Sequence, residues 1–348
     1  MKIALDVLGG DNAPMANIEG AISFLQRQDN CDTELILVGN ESIIEPTLAN
    51  HTENFSNIQI IHTTESIGME EKPSRIFKEK PNSSLIKSIE LIKTGEADAV
   101  VSAGNTGALL AASLFLIGKI PGIKRPALAP LIPTSNGNFI LCDAGANANS
   151  KSHHLVQFAL MAVAYMEHLE NRNNPRVALL NIGKEENKGN ELAIATYPML
   201  KQYVNNFIGN IESRDILEGN ADVIICDGFT GNIVLKLTEG LISHLIDWIQ
   251  NIYQTHSINI NQSTEFLSIL KEIQNSLDHE EYGATPLLGI NGIVMKCHGS
   301  STARGITNSL LSAKKAVKEN LIMDIANRLS KHQNIIENNN RIDEKNPV

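Results

Sequence analysis

The sequence predicts an α/β protein of three layers, with helices on both faces of a mostly parallel sheet. Three observations point there. The first sixty or so residues alternate apolar runs with helix-period segments in a βαβαβ rhythm, which implies a parallel sheet. Two later stretches, GEADAVVSAGNTG from Gly95 to Gly107 and GNADVIICDGFTG from Gly219 to Gly231, repeat one strand–loop–helix pattern in register. Finally, 348 residues suffice for a large core in one domain or two lobes. One α/β domain over 1–330 with a polar tail over 331–348 is expected.

In chain order, Ile3 to Leu5 is the first strand, turned by Gly9-Gly10-Asp11-Asn12-Ala13-Pro14 into a helix from about Met15 to Gln26. Leu35 to Val38 and Ile58 to His62 are strands, with a helix from Ser42 to Ala49 between them. Met69 to Ser84 is polar, holds Lys72, Arg75, Lys78 and Lys80, and reads as a loop or broken helix. Leu85 to Thr94 is helical and leads into the first G-x-T-G unit, whose helix spans Ala108 to Ile117. Ala127 to Ile132 and Asn138 to Leu141 are strands flanking a Thr134-Ser135-Asn136-Gly137 turn, a candidate hairpin. Helix His153 to Glu170, strand Val177 to Ile182, helix Glu191 to Tyr203 and strand Phe207 to Glu212 continue the alternation.

Val223 to Cys226 is a buried-type strand, Asp227 to Asn232 a glycine-rich turn, and Ile233 the start of a helix. Residues 239–277 are expected to form a helical hairpin broken by the polar Thr255 to Ser263. A strand from Ile290 to Lys296, the loop Cys297-His298-Gly299-Ser300-Ser301 and one helix from Thr302 to about Leu329 complete the domain. From His332 the chain is rich in Asn and charge without apolar period, a frayed tail.

The chain carries 29 basic and 39 acidic residues, so it lacks the positive field that general nucleic-acid binding requires. Its four cysteines are far apart and form no C-x-x-C, which fits a reduced, cytoplasmic protein. The N-terminal apolar run is too short for a signal peptide. Ala99 to Gly118 is uncharged and bilayer-length, but Ser102, Gly104, Asn105, Thr106 and Gly107 fill its first half and argue against a membrane span.

No G-x-G-x-x-G, P-loop, G-x-S-x-G or H-E-x-x-H occurs. No metal or cofactor is expected, although Asp6, Asp11, Asp143 and Asp227 at strand ends suit a metal or, more commonly, a helix cap. Cys142, Cys226 and Cys297 flank polar loops, where a thiol carries an acyl group or simply packs. His298 suits general acid/base work, hydrogen-bond donation or a structural role. What stands out is a set of Gly-, Asn- and Thr-rich loops at strand ends, with Lys184, Lys188, Lys236 and His298 among them. Free N–H groups and the helix dipole make such loops good anion sites. They orient an anion and stabilise developing negative charge. The reading from residues alone is transfer chemistry involving phosphate or a phosphorylated compound.

Several stretches go further. MKIALDVLGGDNAP, SAGNTGALLA, LCDAGAN with HLVQFALM, LLNIGKEENKGNE, NFIGNIE, ADVIICDGFTGNIVLK and GATPLLGINGIVMKCHGSS together resemble the bacterial phosphate acyltransferases, in family order from Met1 to about Leu321. The opening departs slightly: Val7-Leu8 and Asn12 replace the usual Ala-Met and His, which leaves no role for a histidine there. The resemblance implies an architecture like that of isocitrate dehydrogenase and phosphotransacetylase, a homodimer, and no nucleotide cofactor. It implies attack of inorganic phosphate on the thioester of a long-chain acyl carrier protein, giving acyl phosphate and free carrier thiol. A membrane glycerol-3-phosphate acyltransferase would consume the product, and peripheral contact with the inner face of the cell membrane is implied too.

On that reading three loops, Gly104 to Gly107, Gly183 to Asn190 and Gly228 to Asn232, converge on the reactants. Lys184 and Lys188 are expected to neutralise phosphate or oxyanion, Asn232 and Asn105 to donate hydrogen bonds, and His298 or Asp227 to orient phosphate or manage its proton. Thr106, Asn147, Asn190, Thr230, Gly231 and Ser300 complete the expected binding set. An acidic carrier needs a basic patch: Lys119, Lys124 and Arg125 first, Lys72, Arg75, Lys78 and Lys80 second. Phosphate acetyl- or butyryltransferase action on a coenzyme A thioester, a decarboxylating dehydrogenase needing NAD and metal, and a non-catalytic membrane scaffold are the rival readings.

Overall fold

A computed structural model describes residues 1–51, 55–134, 137–255 and 279–331. The later part of the expected helical hairpin and the polar tail lie outside the described residues.

The first third is the expected alternation. Strand β1 (Lys2–Asp6), helix α1 (Met15–Leu25), β2 (Glu34–Gly39), α2 (Glu41–Ala49) and β3 (Ile58–His62) follow one another. The polar stretch after them holds a 3₁₀ turn and the short α3 (Ile76–Glu79), then α4 (Ser84–Thr94), closed by Gly95 in the left-handed conformation. Strand β4 (Ala99–Ser102) feeds α5 (Thr106–Leu116). Next come β5 (Ala127–Leu128), β6 (Leu131–Thr134), β7 (Gly137–Cys142), α6 (Ser152–His168), β8 (Val177–Asn181), α7 (Glu191–Tyr203) and β9 (Phe207–Glu212). The chain then runs through β10 (Val223–Ile225), α8 (Gly228–Thr255), β11 (Thr285–Leu288), β12 (Ile293–Lys296), α9 (Ala303–Lys318) and α10 (Leu321–Lys331).

The strands divide into two sheets rather than one. The first has order β3-β2-β1-β4-β12-β11-β5, the second β6-β7-β10-β8-β9. Pairing is parallel from β3 to β12, with β11 antiparallel to both its neighbours. In the second sheet only β6 is antiparallel. The cause is local. The run expected as one strand from Ala127 to Ile132 breaks at Ala129-Pro130, since proline has no N–H to continue a ladder. Its first half pairs with β11 and its second half forms the hairpin with β7, so this segment carries the chain from one sheet to the other.

Alternate residues of the strands face different layers. Ile3 and Leu5 of β1 join Ile140, Val177 and Ile225 of the second sheet in one core that includes Phe158, Met161 and Tyr165 of α6. Ala4, Ile36 and Val100 pack outward against α4 and α5, and Phe139, Ala178 and Ile224 pack on the far side of the second sheet. Between the sheets the shared core is therefore continuous.

Three expected boundaries move. Helices α5 and α8 start at Thr106 and Gly228, two and five residues before the expected points. The single C-terminal helix is two, because Asn320 takes φ 51° and ends α9. Segment Thr285–Leu288, containing Pro286 and given no element from the sequence, is a strand between β12 and β5.

Candidate active site

A cleft of about 920 Å³ opens between the two sheets. The two in-register units face it: Thr106 and Gly107 from the start of α5, and Asn232 and Lys236 from α8. Strand β4 lies between β1 and β12 in the first sheet, and β10 between β7 and β8 in the second. The sequence repeat is thus a spatial equivalence, with one helix start offered to the cleft from each side. Polar groups gather at one part of the lining, where Asp11, Lys296 and His298 join Thr106. Apolar residues, Leu110, Leu131, Leu235, Ile242 and Ile246 among them, form much of the remaining wall, beside Asn232, Lys236 and Glu239 of α8.

The glycines of the repeat serve packing. A Cβ on Gly231 would stand 1.9 Å from the Asp143 carbonyl oxygen, and one on Gly228 would stand 2.5 Å from the Asp143 carboxylate. One on Gly107 would meet Pro73 at 2.6 Å, and one on Gly104 would meet the Asp6 carboxylate at 3.2 Å. These helix starts press against neighbouring loops, which explains glycine without a ligand. The expected Gly228 to Asn232 loop is helix, with Asp227 as its cap. Thr230 donates to both Asp227 oxygens, from N–H at 2.9 Å and from Oγ1 at 2.8 Å.

Two buried carboxylates hold the strand-end loops. Asp6 accepts from Ser84 at 2.5 Å and Ser102 at 2.6 Å. Asp143 accepts from the backbone of Leu128, Ala146 and Asn147 and from the Asn147 amide, at 2.7 to 3.1 Å. Burial pushes both carboxyls above the ordinary aspartate value, against the pull of these hydrogen bonds. Asn147 also donates to the Pro126 carbonyl at 2.7 Å, so its side chain is committed to this scaffold.

Other expected site residues are likewise engaged in building the fold. Asn105 caps α5 by accepting from Ala108 at 2.9 Å and donates to the carbonyls of Met69 and Glu71. Asn190 caps α7 by accepting from Ala193 at 2.9 Å. His298 is exposed at the cleft with Nδ1 2.8 Å from the Ser300 hydroxyl. The three cysteines at strand ends are buried, and burial pushes their thiols up, away from thiolate character.

Lys184 and Lys188 are elsewhere. They line a separate pocket of about 460 Å³ with Gly183, Glu185 and Glu212. The strand order explains this: β8 lies beyond β10, so the loop after it opens outward from the cleft. Of the three loops expected to converge, two line the cleft and the Gly183 to Asn190 loop does not. Lys184 is exposed and pairs with Asp215 at 2.8 Å, which holds its ammonium above the usual lysine value.

Lys119, Lys124 and Arg125 share the loop after α5, where the Lys119 ammonium donates to the Lys124 carbonyl at 2.9 Å. The alternative basic group borders it. Phe115 in the last turn of α5 is exposed and packs at a 49° tilt on Phe77 of α3, 4.6 Å between centroids, in the segment that carries Arg75 and Lys78. Lys80 is tied to Glu71.

Sequence reading missed Lys296 and the apolar wall. Lys296 ends β12, is 7% exposed and reaches the cleft. The signal was available: β12 is buried on both faces, so a lysine at its end must point into the molecule. Among the described residues no group of acidic, histidine or cysteine side chains is arranged to hold a metal ion.

Two sheets flanking a cleft, with helix starts and polar groups beside stretches of aliphatic wall, define an α/β protein of the phosphotransacylase architecture. Solved structures share it. A phosphotransacetylase from Streptococcus pyogenes superposes with TM-score 0.61 at 16% identity, over 92% of this chain and 94% of that one. A branched-chain phosphotransacylase from Enterococcus faecalis gives 0.57 at 13% identity, over 91% and 99%. The model of the family described as fatty acid synthesis protein matches residues 1–324, and the chain belongs to that family. Its relatives are named phosphate acyltransferases: one from Desulforamulus reducens is 43% identical over 97% of this chain and all of the relative. Another, from Clostridioides difficile, is 41% identical over 99% of this chain and all of the relative.

Proposed function

We propose that this protein transfers a long-chain fatty acyl group from acyl carrier protein to inorganic phosphate, reversibly, giving acyl phosphate for phosphatidic acid and phospholipid synthesis. The observation that carries the reading is one cleft with an anion-suited end, at Thr106, Gly107, Lys296 and His298, continuous with an aliphatic wall. Phosphate and an acyl chain can meet there. A phosphate oxygen attacks the thioester carbonyl, the carbonyl electrons move onto oxygen, and their return expels the carrier thiolate, which takes up a proton. Asn232 lines the cleft and is suited to donate to the oxyanion. His298 is suited to hold or pass the phosphate proton. Lys184 takes part only by leaving Asp215 to reach a reacting oxyanion.

The partners follow from the chemistry. The basic surface around Phe115 suits an acidic carrier. Helix α8 has a second apolar side, where Phe229, Ile233, Leu237, Leu241, Leu245 and Trp248 are exposed at helical spacing. A second copy of this chain is the proposed cover, making a homodimer; Leu241→Glu should halve the mass seen by sedimentation if it is. Among the described residues no helix is long and apolar enough to cross a membrane. Peripheral contact with the inner face of the cell membrane is proposed because the product is a long-chain amphiphile bound for a membrane glycerol-3-phosphate acyltransferase. Vesicle flotation tests it.

The deciding experiment measures free thiol released from palmitoyl carrier protein with and without inorganic phosphate, with palmitoyl coenzyme A in parallel. Phosphate-dependent release from the carrier supports the proposal. Release from coenzyme A alone moves the activity to the acetyl- and butyryltransferase class, and release from neither leaves a scaffold.

A further inference from the structure

We infer that Lys296 and the first turn of α5 form the seat of inorganic phosphate in the cleft. The inference deepens the reading above and rests on it. Lys296 is the last residue of β12 and lies opposite Ser102 of β4, at the carboxyl end of the parallel strands. Ligands of open α/β sheets bind at that end.

Its ammonium is buried without a counter-ion. An ammonium has three N–H donors, and Nζ gives one to the Cys297 carbonyl and one, at 3.4 Å, to the Ala103 carbonyl. Among the described residues it forms no ion pair. Asp6 behind it is occupied by two serines, and Asp11 lies across the lining; both act on Lys296 only at longer range. Burial accordingly pushes the ammonium below the usual lysine value, against the pull of Cys297, Asp6 and Asp11, while Lys236 lowers it further. A lysine held only by two carbonyls is poorly compensated, because burying a charge is costly until an opposite charge meets it.

The second element is the start of α5. Asn105 takes the Ala108 N–H with its side chain and the Leu109 N–H with its carbonyl. Thr106 and Gly107 line the same cleft as Lys296, and their N–H groups precede the first intrahelical bond. Donors and helix dipole from one side, and an unpaired buried cation from the other, suit a compact oxyanion. Lys236 is the other lysine of the lining, and Glu239, paired with it at 3.1 Å, neutralises it; His298 adds a ring nitrogen nearby.

The test uses Lys296→Met, which keeps the stem and removes the charge, beside Lys296→Arg. The probe is inorganic phosphate alone, read by thermal melting, together with the KM for phosphate in thiol release. Wild type should melt higher as phosphate is added. Lys296→Met should lose that rise and raise the KM for phosphate at least tenfold, with Lys296→Arg in between. Without phosphate the Met variant should melt no lower than wild type, because removing an uncompensated buried charge is neutral or stabilising. A Met variant that responds to phosphate as wild type does overturns the inference and leaves the transacylase reading intact. So does one that melts far lower yet keeps its KM, since that marks a purely structural tie. Absence of phosphate-dependent turnover in wild type overturns both.

Discussion

Gly231→Ala is the sharpest test of how the cleft is built. The added Cβ would stand 1.9 Å from the Asp143 carbonyl oxygen and 2.9 Å from the Cys226 Sγ, where 3.4 Å is ordinary contact. Neither neighbour can swing aside: one is backbone of a buried hub and the other is a buried strand-end side chain. The start of α8 must therefore move by about 1.5 Å to restore van der Waals contact. Overpacking of this kind costs about 1–3 kcal/mol, which in a chain of this size lowers Tm by roughly 1–4 °C. Asn232 is the next residue and moves with the helix. A displacement near 1 Å costs about a hundredfold in rate, so phosphate-dependent thiol release should fall by about that factor while circular dichroism stays native. Gly240→Ala is the control on the same helix. Nothing lies within 4 Å of its would-be Cβ, and the exchange should stabilise by up to about 1 kcal/mol with activity unchanged. Wild-type turnover and Tm in Gly231→Ala would refute the packing argument, as would an equal loss in Gly240→Ala.

Lys184→Ala should cut turnover at least tenfold with an unchanged melting curve if the lysine leaves Asp215 during the reaction; near-wild-type activity would confine it to the outer pocket. Lys124→Glu with Arg125→Glu should raise the KM for the carrier, more at low salt than at high, and leave phosphate KM alone. Asp222 tests the pH response. Burial pushes its carboxyl up, but Arg176, bonded through guanidinium and backbone N–H at 2.8 to 3.0 Å, outweighs it and holds the value below normal. A depressed folded value gives stability above the unfolded value near pH 4, lost as pH falls through the folded one. Urea midpoints should therefore decline more steeply below pH 4 in wild type than in Asp222→Asn.

The strands were the legible part of this sequence, because parallel strands buried on both faces read as plain apolar runs, as at Leu35 to Val38 and Val223 to Ile225. Helix starts were less so. A G-x-T-G following a strand reads as a turn, and only the packing of Gly228 and Gly231 on Asp143 shows why a helix begins on those glycines. The split into two sheets was hidden because it hangs on one proline, Pro130, inside an otherwise continuous apolar run. In the site, the repeated spacing brought out the Thr106 and Gly107 loop at the cleft, and the family resemblance added Asn232. Spacing could not separate Lys184 from them, since the distance between strand ends depends on sheet order, and sheet order is not written locally. Asn105, Asn147 and Asn190 looked like substrate donors because capping and binding select the same side chain.

The sheet order also bears on how this chain can be made. Strand β4 is bordered on one side by β1 and on the other by β12, so Ala99 pairs with both Ile3 and Ile293. On a ribosome, one neighbour of β4 emerges before it and the other only after the long stretch from Thr106 to Leu288 has been made. Throughout that interval Ala99–Ser102 is an apolar strand with an open edge, the kind of surface that recruits unwanted partners. The second sheet carries no such debt, since all its strands fall between Leu131 and Ile225 and can be laid down as one consecutive stretch. The half of the cleft contributed by α8 can therefore be in place while the half contributed by β12, Lys296 with it, has yet to be translated.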